Sequence, residues 1–125
     1  MISIFVKKAL FNEPIEIHGS GDQSRNFIYV EDLAQGNDAA LNNKAKNKTY
    51  TLEGNHEVTI KKVAETINLL FDGKLKIQYG PGRIDDHIGK KVSNTVFKDL
   101  QWEPTVNFEE GCKKYIDWYK KFIYQ

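Results

Sequence analysis

The stretch Gly19-Ser20-Gly21-Asp22-Gln23-Ser24-Arg25-Asn26-Phe27-Ile28-Tyr29-Val30-Glu31-Asp32 decides the reading of this chain. It is entered from Ile15-Glu16-Ile17-His18, whose alternation predicts a strand. Phe27 to Val30 is aromatic and branched and predicts a second strand. A phosphate-cradling glycine loop stands between a strand and a helix. Here the glycines stand between two predicted strands, so a hairpin loop is expected. Glu31-Asp32 then suits a helix start, because carboxylates accept the free N–H groups of a first turn. Leu33, Ala34, Asn37, Ala40 and Leu41 would line that helix.

Working outward, Ile2, Phe5, Val6, Ala9 and Leu10 recur at helical spacing, and Pro14 closes that segment. Thr49 to Leu52 reads as a strand ending at Gly54. Thr59 can cap a helix that buries Ile60, Val63, Ala64, Ile67, Leu70 and Phe71. A strand over Leu75 to Tyr79 leads to Gly80-Pro81-Gly82, a turn, and a loop over Arg83 to Val92. A short helix is expected over Asn94 to Leu100. Asn107 with Glu110 resembles a capping box. The helix after it would bury Phe108, Cys112, Tyr115, Ile116, Tyr119, Phe122 and Ile123. Strands alternating with four to five helices predict one α/β domain over residues 1–125.

Composition narrows the function classes. The chain has 125 residues, 40% hydrophobic and 28% charged, with a formal net charge of +1. That length suits one domain. A near-neutral chain without a basic run argues against nucleic acid as main partner. No apolar run is long enough to span a bilayer, so no membrane role is expected. The start lacks the pattern of a signal peptide. The single cysteine, Cys112, excludes an internal disulfide and a cysteine-based zinc site. A reducing cytoplasmic setting is the simplest expectation.

Chemistry-bearing residues are few. There is no nucleophile elbow, and Cys112 sits at a core position of a helix. His18, His56 and His87 are far apart, and Asp85-Asp86-His87 is a weak metal pattern, because adjacent side chains diverge in extended chain. Arg25 and Arg83 each follow a glycine turn. An arginine there can grip a phosphate with two parallel hydrogen bonds, or form a surface ion pair with a nearby carboxylate.

The stretch 19–32 resembles the motif G-[DS]-G-x-x-x-R-[DN]-[FY]-[IV]-[YH]-V-x-D of extended short-chain dehydrogenases, which include the NAD-dependent nucleotide-sugar epimerases and dehydratases. Further segments match in order. Tyr50-Thr51-Leu52-Glu53-Gly54 resembles Y-N-[IL]-G-[SG], and Arg83-Ile84-Asp85-Asp86 resembles R-x-G-D. Leu100-Gln101-Trp102-Glu103-Pro104 resembles L-G-W-x-P, Phe108-Glu109-Glu110-Gly111 resembles [LF]-E-E-G, and Asp117-Trp118-Tyr119 resembles [ED]-W-[YF]. Four positions depart from the pattern: Thr51 for Asn, Glu53 for Gly, Asp85 for Gly and Gln101 for Gly.

The resemblance covers the C-terminal, substrate-binding part of that family. The dinucleotide fingerprint and the catalytic Tyr-x-x-x-Lys are not in this sequence. The resemblance therefore implies a small substrate-binding lobe of a Rossmann-type enzyme, with the NAD-binding half absent and no catalysis by this chain alone. NAD would serve the intact enzyme and not bind this chain. The implied ligand is a nucleotide sugar, a UDP-sugar by preference, and the implied activity is a UDP-sugar 4-epimerase-like isomerisation. A dehydratase or reductase on another nucleotide sugar is the alternative, as is a non-catalytic interaction domain. Carried across residue by residue, Arg25 and Arg83 would contact the diphosphate and Asp86 the ribose hydroxyls. Glu16 and His18 would lie on the strand whose backbone reads the base, with the His18 ring in the stacking position. The resemblance also makes Thr49 to Leu52 part of a sheet built mainly by the other half. Its loss predicts either a separate partner half or self-association.

Overall fold

The fold, seen in a computed structural model, is described for residues 1–82 and 95–123. Helix α1 spans Ile2–Leu10, strand β1 Ile15–His18, strand β2 Ser24–Arg25 and helix α2 Val30–Ala39. A 3-10 turn over Asn43–Ala45 precedes β3 at Val58–Thr59, α3 at Ile60–Leu70, β4 at Ile77–Gly80, α4 at Thr95–Leu100 and α5 at Phe108–Phe122. The chain is α/β with five α-helices among the described residues. None of those helices is long and apolar enough to cross a membrane.

The amphipathic helices form where their periodicity predicts them. Phe5, Val6 and Ala9 of α1 meet Ile60, Val63, Ala64 and Ile67 of α3, and Ile15 and Ile17 of β1 fill the space beside them. Thr59 caps α3, its Oγ accepting from the Lys62 N–H at 3.1 Å. Asn107 caps α5, accepting from the Glu110 N–H at 2.8 Å. Only half of the expected capping box forms, since the Glu110 carboxylate pairs with Lys114 at 3.1 Å. Cys112 and Ile116 of α5 are buried, but Phe122 and Ile123 are exposed, contrary to expectation. With 15 residues against the 11 of α3, α5 is about 6 Å longer than the helix it packs on.

The sheets depart further from the sequence reading. β1 pairs in parallel with β4, Ile15 opposite Ile77 and His18 opposite Gly80. β2 pairs antiparallel with β3, Arg25 opposite Val58. Gly19 to Gly21 is therefore no hairpin: it carries the chain from one sheet to another. Gly19 and Gly21 hold φ of 77° and 82°. The Lys61 N–H donates to the Gly21 carbonyl at 3.0 Å.

Phe27 to Val30 is not a strand; the strand lies earlier, at Ser24–Arg25. Beyond Arg25 the neighbouring chain is held by side chains instead of a ladder. Asn26 Nδ2 donates to Glu53 Oε1 at 2.8 Å. A Cβ on Gly54 would collide with the Phe27 carbonyl, so only glycine fits there. Thr49 to Leu52 is likewise not a strand and has no ladder partner among the described residues. It is fastened by side chains: Tyr50 OH and Lys48 Nζ both donate to Asp99 Oδ2, at 2.7 and 2.9 Å.

Helix α2 begins at Val30 and turns a different face inward from the one expected. Asp32 and Gly36 are buried, whereas Ala34, Asn37, Ala40 and Leu41 are exposed. A Cβ on Gly36 would stand 2.8 Å from Leu52 Cδ1 and 3.0 Å from Trp102 Cε2. Trp102, Val96 and Leu100 form a second small core there, flanked by Ile28, Ala39 and Tyr50.

Candidate functional site

Strand β1 presents two kinds of chemistry. Its side chains alternate, Ile15 and Ile17 buried, Glu16 and His18 exposed. Its backbone alternates too. The N–H groups of Ile15 and Gly19 donate to Lys76 and Gly80 on the β4 side, at 2.9 and 3.0 Å. The N–H and C=O groups of Glu16 and His18 therefore point to the opposite edge. No strand among the described residues pairs with that edge. The His18 carbonyl accepts there from Gln23 Nε2 at 3.0 Å.

This open edge lines a groove of about 490 Å³. Glu16 and His18 form one wall. Ile4 and Lys8 of the first helix, with Met1 just before it, form the other, and Phe27 and Ile60 also line the groove. Gln23 and Arg25 enter it from the loop and from β2. Arg25 Nη1 donates to the Ser24 carbonyl at 2.7 Å, which steadies the guanidinium. Three of the five expected site residues, Glu16, His18 and Arg25, thus share one groove. The Glu16 carboxylate lies over β4, with Oε1 2.7 Å from where a Cβ on Gly80 would be. Its backbone, not its side chain, faces the open edge. Arg83 and Asp86 lie outside the described residues, as does the Asp85-Asp86-His87 triplet.

Two groove residues were not anticipated from sequence. Gln23 stands two residues before Arg25, and in extended chain that spacing puts both on one side. Lys8 stands four and seven residues after Ile4 and Met1, on one helical face. Both spacings were visible in the sequence.

Other polar clusters serve architecture. Asp32 is 1% exposed. It accepts from Thr105 Oγ1 and the Val106 N–H, each at 2.9 Å, while its carbonyl accepts from Trp102 Nε1 at 3.1 Å. Burial pushes its carboxyl up, but the hydrogen bonds from Val106 and Thr105 and the Lys114 charge outweigh burial and hold it below the usual range. Hydrogen bonds from Lys48 and then Tyr50 likewise lower Asp99. Cys112 is buried and its thiol is pushed up to about 12 by desolvation, so it holds no thiolate at neutral pH.

Residues 1–52 match the model of the NAD dependent epimerase/dehydratase family. UDP-glucuronate 4-epimerase of Thermodesulfobacterium geofontis is 30% identical over 120 residues, which cover 95% of this chain and 37% of that protein. UDP-glucuronic acid decarboxylase 1 of Danio rerio is 33% identical over 122 residues, covering 97% and 29%. The solved structure of dTDP-glucose 4,6-dehydratase from Bacillus anthracis, in complex with NAD, matches with a TM-score of 0.83 at 28% identity. That match covers 97% of this chain and 39% of the other. The chain spans between 18% and 40% of the length of such curated relatives. These likenesses support the NAD-dependent epimerase/dehydratase family, with UDP-sugar epimerases, dehydratases and decarboxylases among the relatives.

Proposed function

We propose that residues 1–125 form the C-terminal, nucleotide-sugar-binding lobe of a UDP-sugar 4-epimerase-like enzyme whose NAD-binding catalytic half lies outside this chain. One observation carries the reading. A strand edge with no ladder partner among the described residues, a flat imidazole and an arginine line the same groove. The edge offers alternating donors and acceptors to a base, the His18 ring offers a stacking face, and Arg25 offers charge-assisted hydrogen bonds to phosphate. Arg83 and Asp86 complete the proposed ligand set, as second diphosphate contact and as ribose contact. The relatives that carry out dehydration supply the alternative reading, a dehydratase on another nucleotide sugar.

NAD, when bound to an enzyme of this family, supplies the hydride acceptor. The described residues do not fit its pyrophosphate. Gly19 and Gly21 stand between two strands instead of at a helix start. The N-terminus of α3 follows β3 without a glycine, and its Lys62 N–H is already taken by Thr59. The chain's proposed part in catalysis is accordingly to hold the nucleotide, so that a partner half can act on the sugar.

Calorimetric titration with UDP-glucose tests this reading. Arg25→Ala is expected to weaken binding by about 1.5–3 kcal/mol, the scale of a hydrogen bond to a charged group. Added salt should weaken wild-type binding as well. Equal affinity in the variant and the wild type would return Arg25 to a surface role. Absence of any binding by the wild type would overturn the reading.

A further inference from the structure

The groove contains a cation that no family motif assigns. Lys8 is half-buried on α1 and lines the groove. It takes part in none of the ion pairs among the described residues. Residues 11–14 join α1 to β1, and the two elements pack against each other, so they run antiparallel. Lys8 therefore stands at the Glu16 end of the groove. Met1, at the other end of α1, lines the groove with Arg25 and Phe27, and with Phe27 it also lines a neighbouring apolar hollow. The groove thus has Arg25 toward one end and Lys8 toward the other. Met1 and Lys8 are separated by about 10 Å of helix, comparable with a nucleotide measured from phosphate to the far edge of its base.

We propose that Lys8 is a base-selecting residue: its ammonium donates a hydrogen bond to an oxo group at the far edge of the base, favouring uracil over cytosine. This rests on the nucleotide-sugar reading of the same groove. The chemistry is one-sided. An ammonium has three donors and no acceptor. Uracil presents an oxo group where cytosine presents an amino group, and two donors facing each other leave both unpaired. The Glu16 carboxylate, which could accept from an amino group, is turned over Gly80. Among the described residues that line the groove, Lys8 is then the charged side chain left to meet the base at that end.

The test is calorimetric titration of UDP and CDP into the wild type, Lys8→Ala, Lys7→Ala and Arg25→Ala. Lys7 is an exposed neighbour on the same helix and controls for general charge. The wild type should bind UDP more tightly than CDP. Lys8→Ala should lose about tenfold in UDP affinity and bring the two ligands close to equality. Arg25→Ala should weaken both and preserve their ratio, and Lys7→Ala should match the wild type. A Lys8→Ala variant that keeps the UDP-to-CDP ratio, or a wild type that binds the two equally, overturns the proposal. In either case an intact Arg25 effect leaves the nucleotide-binding reading standing. A wild type that binds neither ligand overturns both.

Discussion

Asp32 ends the glycine–arginine motif, and its work is to tie two distant segments together. Its carboxylate holds Thr105 and Val106 and its carbonyl holds Trp102. Because its native pKa is depressed, the stabilisation is present in full above the unfolded carboxylate's value of about 4 and fades as pH falls through the native value. Asp32→Ala leaves a hydroxyl and an N–H without their acceptor, so it should cost about 3 kcal/mol in urea unfolding at neutral pH. The gap between wild type and variant should shrink in acid; a constant gap would place the acid sensitivity elsewhere. Gln101 shows a different residue-scale compromise. It stands where the resembled motif has glycine, and it holds φ of 53°. Its side chain donates to the carbonyls of Phe97 and Lys98, at 3.3 and 3.2 Å, which helps offset a conformation that glycine adopts without strain.

Among the elements, α3 and α5 begin on side-chain caps and α2 does not. Thr59→Ala and Asn107→Ala should each cost about 1 kcal/mol, read as a lowered urea midpoint with an unchanged slope. Glu110→Gln should change stability by less than about 0.5 kcal/mol, since its carboxylate is committed to an exposed pair with Lys114. A loss as large as that of Asn107→Ala would mean that the full capping box operates in solution. The caps were legible from sequence because cap and partner lie three residues apart. The buried face of α2 was not. Leu33, Ala34 and, past its end, Leu41 mark a stripe, but Gly36 is what lets Trp102 approach, and Trp102 is 66 residues away (102 − 36).

On the scale of the whole molecule, the chain leaves apolar surface uncovered. Val30 on α2 is 66% exposed and Leu41, in the turn just after that helix, 83%, and Trp118 and Phe122 are about half exposed on α5. Such surface, with the unladdered segment at Thr49 to Leu52, favours association. Sedimentation velocity at rising concentration should show reversible self-association, and the pair Val30→Asp and Leu41→Asp should reduce it. A wild type that stays monomeric across the range would count against this expectation.

What the sequence determined by itself was whatever depends on near neighbours. Helices α1, α3 and α5 follow from periodicity, the α3 and α5 caps from single side chains, and the strand character of β1 from four alternating residues. The resemblance to the nucleotide-sugar family also points to Arg25, Glu16 and His18, which share one groove. Tertiary structure alone decided that β1 pairs with β4, whose first residue lies 62 positions along the chain (77 − 15). It decided too that the glycine turn joins two sheets, that Phe27 to Val30 packs without a ladder, and that Lys8 faces the same groove as Arg25. Each of these depends on which remote backbone or side chain arrives alongside. A strand becomes a strand only when a partner accepts its hydrogen bonds, and a helix face is buried only where another element covers it.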